Sequence, residues 1–207
     1  MKRRLMAFEK SGGGLPSSYT AVDYLQSTGT QWIEMGVTPN QNTKAVLKIK
    51  INVFTSKGAS LIGSRTNINS DDQFTTYLDD YGGTRFLFRM DGQPKTTSWT
   101  GLTTNKIYIV TLSGTEMKAE LEDGTAVFSK TFSVPDFTST LTMALFRSKG
   151  VSGYYFRGRI YSCKHYSGDE LIQDFQPCLD TNGVPCMFDF VSRKPFYNVG
   201  TGSFAWG

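Results

Sequence analysis

The sequence predicts an all-β fold, a two-sheet antiparallel sandwich, and three observations predict it. Apolar residues recur with period two along most of the chain, and no stretch beyond the N-terminal arm shows a 3.6-residue period. Turn-forming residues punctuate that pattern at roughly the 8–12-residue spacing of sandwich folds. With 21 glycines and 14% aromatics in 207 residues, the composition favours strands joined by tight turns. A chain of this length closes one sizeable core, so one β domain is expected.

The elements follow in order. Residues 1–10 read as a short amphipathic arm and residues 11–14 (SGGG) as a flexible hinge, which makes 1–14 an appendage and 15–207 the sandwich. Ala45, Leu47, Ile49, Ile51 and Val53 alternate with Lys44, Lys48, Lys50 and Asn52, predicting a half-buried strand with a solvated lysine face. Ala59–Gly63 predicts a short apolar strand. Phe74–Leu78 and Arg85–Met90 flank Asp79–Gly83 as a hairpin. Lys106–Leu112, Met117–Glu122 and Val127–Phe132 continue the meander, with Asp123 and Gly124 at a two-residue turn. Leu141–Phe146 and Tyr154–Tyr166 read as the last long strands. Leu171–Phe175, Met187–Phe190 and Phe196–Tyr197 read as shorter strands along an edge.

Charge excludes one class of partner. The net charge is +4, but Lys2, Arg3, Arg4 and Lys10 against Glu9 place +3 in the first ten residues. A nearly neutral body is a poor phosphate surface, so no nucleic-acid partner is expected. The basic arm, with Lys2, Arg3, Arg4, Leu5 and Phe8, is instead a candidate for attachment to a partner or to sister subunits. Its apolar run, Leu5–Phe8, is too short for a signal peptide, and no run approaches a membrane span. Nothing in the chain therefore directs it through a secretion pathway or into a membrane; if it works outside a cell it leaves by another route, and release from the cytoplasm by lysis is one that fits.

Catalytic and metal chemistry find little to work with. Cys163, Cys178 and Cys186 lack a CxxC pair and read as buried thiols, with a Cys178–Cys186 disulfide allowed by spacing. His165 is the single histidine, and strict alternation places it on one strand face with Cys163, Tyr161 and Arg159. Neighbours two apart on a strand are about 6.5–7 Å apart at the backbone, too loose for a dyad, so His165 reads as structural. No cofactor is required. The Asx-rich loop with Asp71 and Asp72, near Asp79 in sequence, is the one place with the oxygen ligands that calcium would use. Sugar binding needs rings beside planar polar groups. Trp99, in a polar stretch, Tyr77 and Tyr81, beside the acidic hairpin, and Arg65, at a strand end, are the candidates. Trp32 is expected in the core, and Trp206 at the end of the sandwich.

Four strings carry a family resemblance: YTAVDYLQSTGTQWIEMG, GRIYSCKHY, DFQPC and FYNVGTGSF. Over residues 15–66 and 153–207 the chain resembles the concanavalin-A-like, laminin-G-like jelly-roll domains of tailed-bacteriophage structural proteins and gut-bacterial surface proteins. The resemblance implies a concanavalin-A-like jelly roll and a non-enzymatic place in a virion, as fibre or capsid-decoration protein, contacting host-surface or mucosal glycans. It also implies other virion proteins as partners, a homo-oligomer (a trimer by analogy), and relatives that carry rim calcium. Two alternatives accompany it: a purely structural capsid-cementing protein, and a polysaccharide-acting enzyme. Some hydrolases on this fold alternate acids along one strand, as Glu120 and Glu122 do, but these two precede the Asp123–Gly124 turn and lack a cleft.

Overall fold

The computed structural model describes residues 14–55, 58–67, 72–79, 85–90, 101–133 and 136–207. The arm, with Lys2, Arg3, Arg4, Leu5 and Phe8, lies outside the described residues. Among those described there is no helix. Sixteen strands occur among them: β1 (Thr20–Ala21), β2 (Leu25–Ser27), β3 (Ile33–Glu34), β4 (Thr43–Ile51), β5 (Ile62–Ser64), β6 (Phe74–Asp79), β7 (Arg85–Met90) and β8 (Ile107–Ser113), then β9 (Glu116–Leu121), β10 (Ala126–Thr131), β11 (Ala144–Leu145), β12 (Gly158–Ser167), β13 (Glu170–Leu179), β14 (Pro185–Asp189), β15 (Lys194–Tyr197) and β16 (Ala205–Trp206).

Their ladders, all antiparallel, make two sheets. The larger runs β10-β9-β8-β4-β12-β13-β14-β15, with β1 on β13, β2 on β12 and β16 on β2; the smaller runs β3-β11-β5-β6-β7. The core lies between them, where Leu47 and Ile49 of β4, Val110 of β8 and Phe175 of β13 belong to one buried cluster with Phe74 of β6 and Phe88 of β7. The architecture is the jelly-roll sandwich that the sequence predicts.

Strand β4 shows why. Its Thr43, Ala45, Leu47, Ile49 and Ile51 are buried, while Lys44, Val46, Lys48 and Lys50 are half-exposed. Alternation is a two-residue property of the pleat, so one register places the whole apolar set inward. Strand β12 pairs with β4 from Gly158↔Ile51 to Ser167↔Thr43, with a bulge between Ile160 and Ser162. The bulge switches the phase of β12. Ile160 is buried before it and Cys163 and His165 after it. Tyr161 and Arg159 lie on the other side, where Lys48 sits 5.3 Å from the Tyr161 ring and Arg159 4.0 Å from the Tyr24 ring. The face shared by Cys163 and His165 therefore excludes Tyr161 and Arg159, contrary to strict alternation.

Other boundaries move for identifiable reasons. Strand β12 begins at Gly158 rather than Tyr154, because residues 154–157 leave the larger sheet and Ser60 takes a bridge to Tyr155. Strand β13 is longer than expected and runs through Pro177. The Pro177 carbonyl accepts from Val22 N at 3.3 Å, so its ring nitrogen faces the junction where β12 ends and β1 begins, not β14. A missing donor is tolerated there because no ladder needs it. Trp206 is 51% exposed on its edge strand and does not cap the core. Cys178 and Cys186 face each other as free thiols, sulfurs 3.4 Å apart.

Gly63 lies where β5 meets β6. At φ 150°, a Cβ there would approach the Phe74 carbonyl oxygen to 2.2 Å and the Thr75 Cα to 2.7 Å. Gly63→Ala is therefore expected to lower the free energy of unfolding by at least about 2 kcal/mol. Gly14→Ala, with nothing within 4 Å of its Cβ position, should stay within about 0.5 kcal/mol of wild type. Urea denaturation of both variants checks this, and equal midpoints would refute the close β5–β6 approach.

Candidate ligand-binding face

Register assigns the outer face of the smaller sheet. The pairs Phe74↔Met90, Thr76↔Phe88 and Leu78↔Phe86 point into the core, so Tyr77 and Arg89 point outward. Ser64 opposes Phe74 and Gly63 opposes Thr75, which gives Arg65 the outward phase as well. Ile33 is buried and opposes Leu145, so Trp32 and Glu34 also belong to the outer face. The outer face thus carries rings and charges at its two ends, Trp32 and Glu34 at one and Arg65, Tyr77 and Arg89 at the other, while the outward positions between them, Ala144, Gly63 and Thr75, are small and buried.

At the β3 end, the Arg147 guanidinium lies 4.8 Å from the Trp32 ring and 5.0 Å from the Tyr155 ring. Arg147 Nη2 donates to the Val151 carbonyl at 2.6 Å and Nε to the Ser148 carbonyl at 3.2 Å, which fixes the plane of the fork. The chain reaches this position through Phe146, whose φ is 67°. That conformation is costly for a bulky residue. It is held by Phe146 N donating to Leu61 O at 2.7 Å, by Phe156 N donating to Phe146 O at 2.8 Å, and by burial against Phe204 at 4.8 Å. Phe146 stays in the core and Arg147 emerges outside.

Trp32 is set by the two ends of the chain. Its backbone N–H donates to Asn198 Oδ1 at 3.1 Å, which also accepts from Gly200 N at 2.9 Å. Gln31 Nε2 and Thr30 Oγ1 both donate to the Thr201 carbonyl, at 3.2 and 2.9 Å. A Cβ on Gly200 would meet Thr30 O at 1.9 Å and Trp32 Cδ1 at 2.8 Å. The STGTQW and NVGTGSF strings thus interlock, and their lock supports a ring that packs on the core edge while remaining half-exposed. Beside it, Lys149 Nζ is 2.7 Å from Glu34 Oε2, and Thr142 Oγ1 donates to Glu34 Oε1 at 2.5 Å.

At the β6–β7 end stands Arg65, with no exposed surface. Its guanidinium carbon is 4.3 Å from the Tyr154 ring and 4.7 Å from the Tyr77 ring, and the two rings stand at 88°. Nη1 donates to the Tyr77 hydroxyl, which donates onward to Gln73 Oε1 at 3.4 Å. Arg89 approaches the same Tyr77 ring to 5.5 Å. Burial pulls the Arg65 pKa down, Tyr154 counteracts it, and the nearby Arg89 charge adds to the fall. An arginine remains a cation at neutral pH all the same. The turn beneath closes because Gly150, at φ 89°, leaves room for the Arg65 carbonyl.

Of the residues predicted for sugar binding, the structure brings Arg65 and Tyr77 together; Trp99 and Tyr81 lie outside the described residues. Sequence reasoning missed Arg89, Arg147, Tyr154 and Tyr155. Arg89 was legible from the alternation of RFLFRM, whereas the other three depend on the loop after Phe146. Among the calcium candidates, Asp71 and the Asp79 side chain lie outside the described residues. The Asp72 carboxylate accepts from Thr66 Oγ1 at 2.7 Å and Thr140 Oγ1 at 3.0 Å, joining two loops. Glu120 lies on β9 of the larger sheet and Glu122 in the turn after it, ion-paired at 2.7 Å to Lys118 and Lys48 respectively.

No protein-family profile matches the chain, and no curated protein does. Solved structures do. A Bacteroides ovatus protein proposed to bind carbohydrate superimposes with a TM-score of 0.60 at 13% identity, over 90% of this chain and 60% of its own. The chain therefore spans less than two thirds of that protein. A heptameric SAP-like pentraxin from Limulus polyphemus superimposes with a TM-score of 0.50 at 12% identity, over 92% of this chain and 93% of its own. The fold is a concanavalin-A-like jelly roll. At such identities the likeness concerns the fold alone.

His165 makes the sharpest solution signature. It is 4% exposed, its Nδ1 has no hydrogen-bond partner among the described residues, and burial pushes its pKa from 6.5 down to about 4, partly offset by Gln173 opposite it. The folded chain thus keeps His165 neutral while the unfolded chain protonates it. Stability is complete above pH 6.5 and falls as the pH drops toward 4, by about 2 kcal/mol between pH 7 and pH 5. Urea unfolding across that window should show the loss, and His165→Leu should flatten it; an unchanged slope in the variant would refute the assignment.

Proposed function

We propose that this chain is a non-catalytic glycan-binding module, and that it contacts sugar through the outer face of the smaller sheet. One observation carries the reading: Trp32, Tyr155, Tyr154 and Tyr77 line a single sheet face, each half-buried, with guanidiniums stacked between them. Sugar rings stack their CH faces on such platforms, while fixed donors between the rings take hydroxyl oxygens. Stacking on Arg147 holds Trp32 and Tyr155 in place, which lowers the entropic cost of binding there. The Bacteroides ovatus neighbour, itself proposed to bind carbohydrate, supports the reading at the level of fold.

The setting is proposed on the resemblance of the terminal strings: a bacteriophage fibre or decoration protein on the virion, displayed to host-surface or mucosal glycans. In that setting residues 1–14 attach the module to other virion proteins, and self-association, trimeric by analogy, adds avidity to weak single sites. Calcium at the loop of Asp71, Asp72 and Asp79 is an accessory of the same reading.

A glycan array probed with the full chain, with and without EDTA, tests it. Specific binding is expected, roughly tenfold weaker for Trp32→Ala and for Tyr155→Ala with circular dichroism unchanged. Loss in EDTA would assign calcium to the rim loop. Silence across the array at high protein concentration would refute glycan binding and favour a purely structural virion role, for which deletion of residues 1–14 should abolish particle incorporation.

A further inference from the structure

Among the described residues, the cations on the smaller sheet's outer face are not all paired with a carboxylate. Lys149 is held by Glu34, and on the other sheet Lys48 and Lys118 have their glutamates. Arg65 has no carboxylate among the described residues, nor does Arg89 beside it. Arg65 is fully enclosed, yet its Nε and Nη2 make no hydrogen bond, and Arg89 Nε makes none either. A buried charge left unpaired is expensive, and a second cation against the same tyrosine adds to the expense.

The pattern of unused donors is specific. Nη1 of Arg65 is committed to the Tyr77 hydroxyl, which leaves Nε and Nη2. Those two atoms form one edge of the guanidinium, with parallel N–H bonds at the spacing of two oxygens on one carbon or sulfur. Such an edge takes a carboxylate or a sulfate ester bidentately, and it discriminates against a neutral hydroxyl.

We propose that Arg65, with Arg89 beside it, forms an oxyanion subsite at the corner between Tyr77 and Tyr154, so that the glycan bound here carries an acidic residue, a uronate or a sulfated sugar. This rests on the glycan-binding reading above and names its substrate class. Tyr77 stacks the sugar ring, the Arg65 edge takes two oxygens of its anionic substituent, and Arg89 supplies the second charge. Because Arg65 is enclosed, the Tyr154 ring must swing aside to admit the ligand. That ring follows Gly153, at φ 87°, whose Cβ position has nothing within 4 Å.

Calorimetric titration of the full chain with size-matched oligogalacturonate, sulfated galactan and neutral galactan tests the proposal. At least one acidic series should bind roughly tenfold tighter than the neutral one and weaken with added salt. The series that binds distinguishes carboxylate from sulfate. Arg65→Lys keeps the charge but loses the fork, and Arg89→Gln alters a half-buried side chain; each should bring acidic binding down to the neutral level. If Arg65→Lys does not fold, Arg89→Gln decides alone. Equal binding of neutral and acidic sugars would overturn the subsite while leaving glycan binding standing. No binding of any sugar would overturn both. Acidic binding that survives Arg89→Gln but is lost in Lys44→Gln/Lys50→Gln would overturn it by moving the site to the larger sheet.

Discussion

The pairing of β12 with β4 is the constraint on which the sandwich depends. Nine registered positions join the longest alternating strand to the strand that also carries β2 and β13. A one-residue slip would turn Leu47, Ile49 and Cys163 to solvent and bring Lys48 into the core, a cost no local rearrangement could recover. The bulge at Tyr161 lets a strand that begins with glycine inward continue with Cys163 and His165 inward. It is also what keeps Tyr161 and Arg159 outside, paired by stacking with Lys48 and Tyr24. On the larger sheet Lys48, Lys118 and Lys164 have carboxylate partners and Lys44 lies over the Tyr166 ring, while the inner face is buried in the core.

The smaller sheet differs in kind. Its inner face contributes Phe74, Phe86, Phe88 and Met90 to the same core. Its outer face is built from side chains that ordinary folding would avoid: an enclosed arginine with free donors, a second arginine beside it, and half-exposed rings. These features are held by devices that cost stability, namely Phe146 in the left-handed region and close glycine contacts at Gly63 and Gly150. Phe146 in the left-handed region and the unpartnered guanidinium nitrogens of Arg65 and Arg89 fall on this face, while the buried His165 Nδ1 and the left-handed Arg193 belong to the larger sheet.

The fold was legible in the sequence because alternation is local. The β4 run, the FTTYLD and RFLFRM strands and the Asp123–Gly124 turn each declare themselves within a few residues. The terminal strings were recognisable as strings, and the structure supplies their reason: Asn198, Thr201 and Gly200 clasp Gln31 and Trp32 across the length of the chain. What stayed hidden is non-local. Nothing near Arg147 signals that Phe146 will reverse the chain and set Arg147 over Trp32. Pro177 masks the length of β13, because whether a missing donor matters depends on which strands flank it. Arg65 and Tyr77 were named separately as site candidates, at a strand end and beside a hairpin, and only the β5–β6 register joins them.

The most direct test of the account is side-chain NMR of the full chain during titration with an acidic oligosaccharide, following the Trp32 indole N–H and the Arg Nε–H signals. The account predicts that the Arg65 Nε–H and Trp32 signals shift together and saturably, while the Arg159 signal on the larger sheet stays in place. Shifts confined to Arg159 and the lysines of β4, with Arg65 and Trp32 unmoved, would contradict the assignment of the ligand face to the smaller sheet.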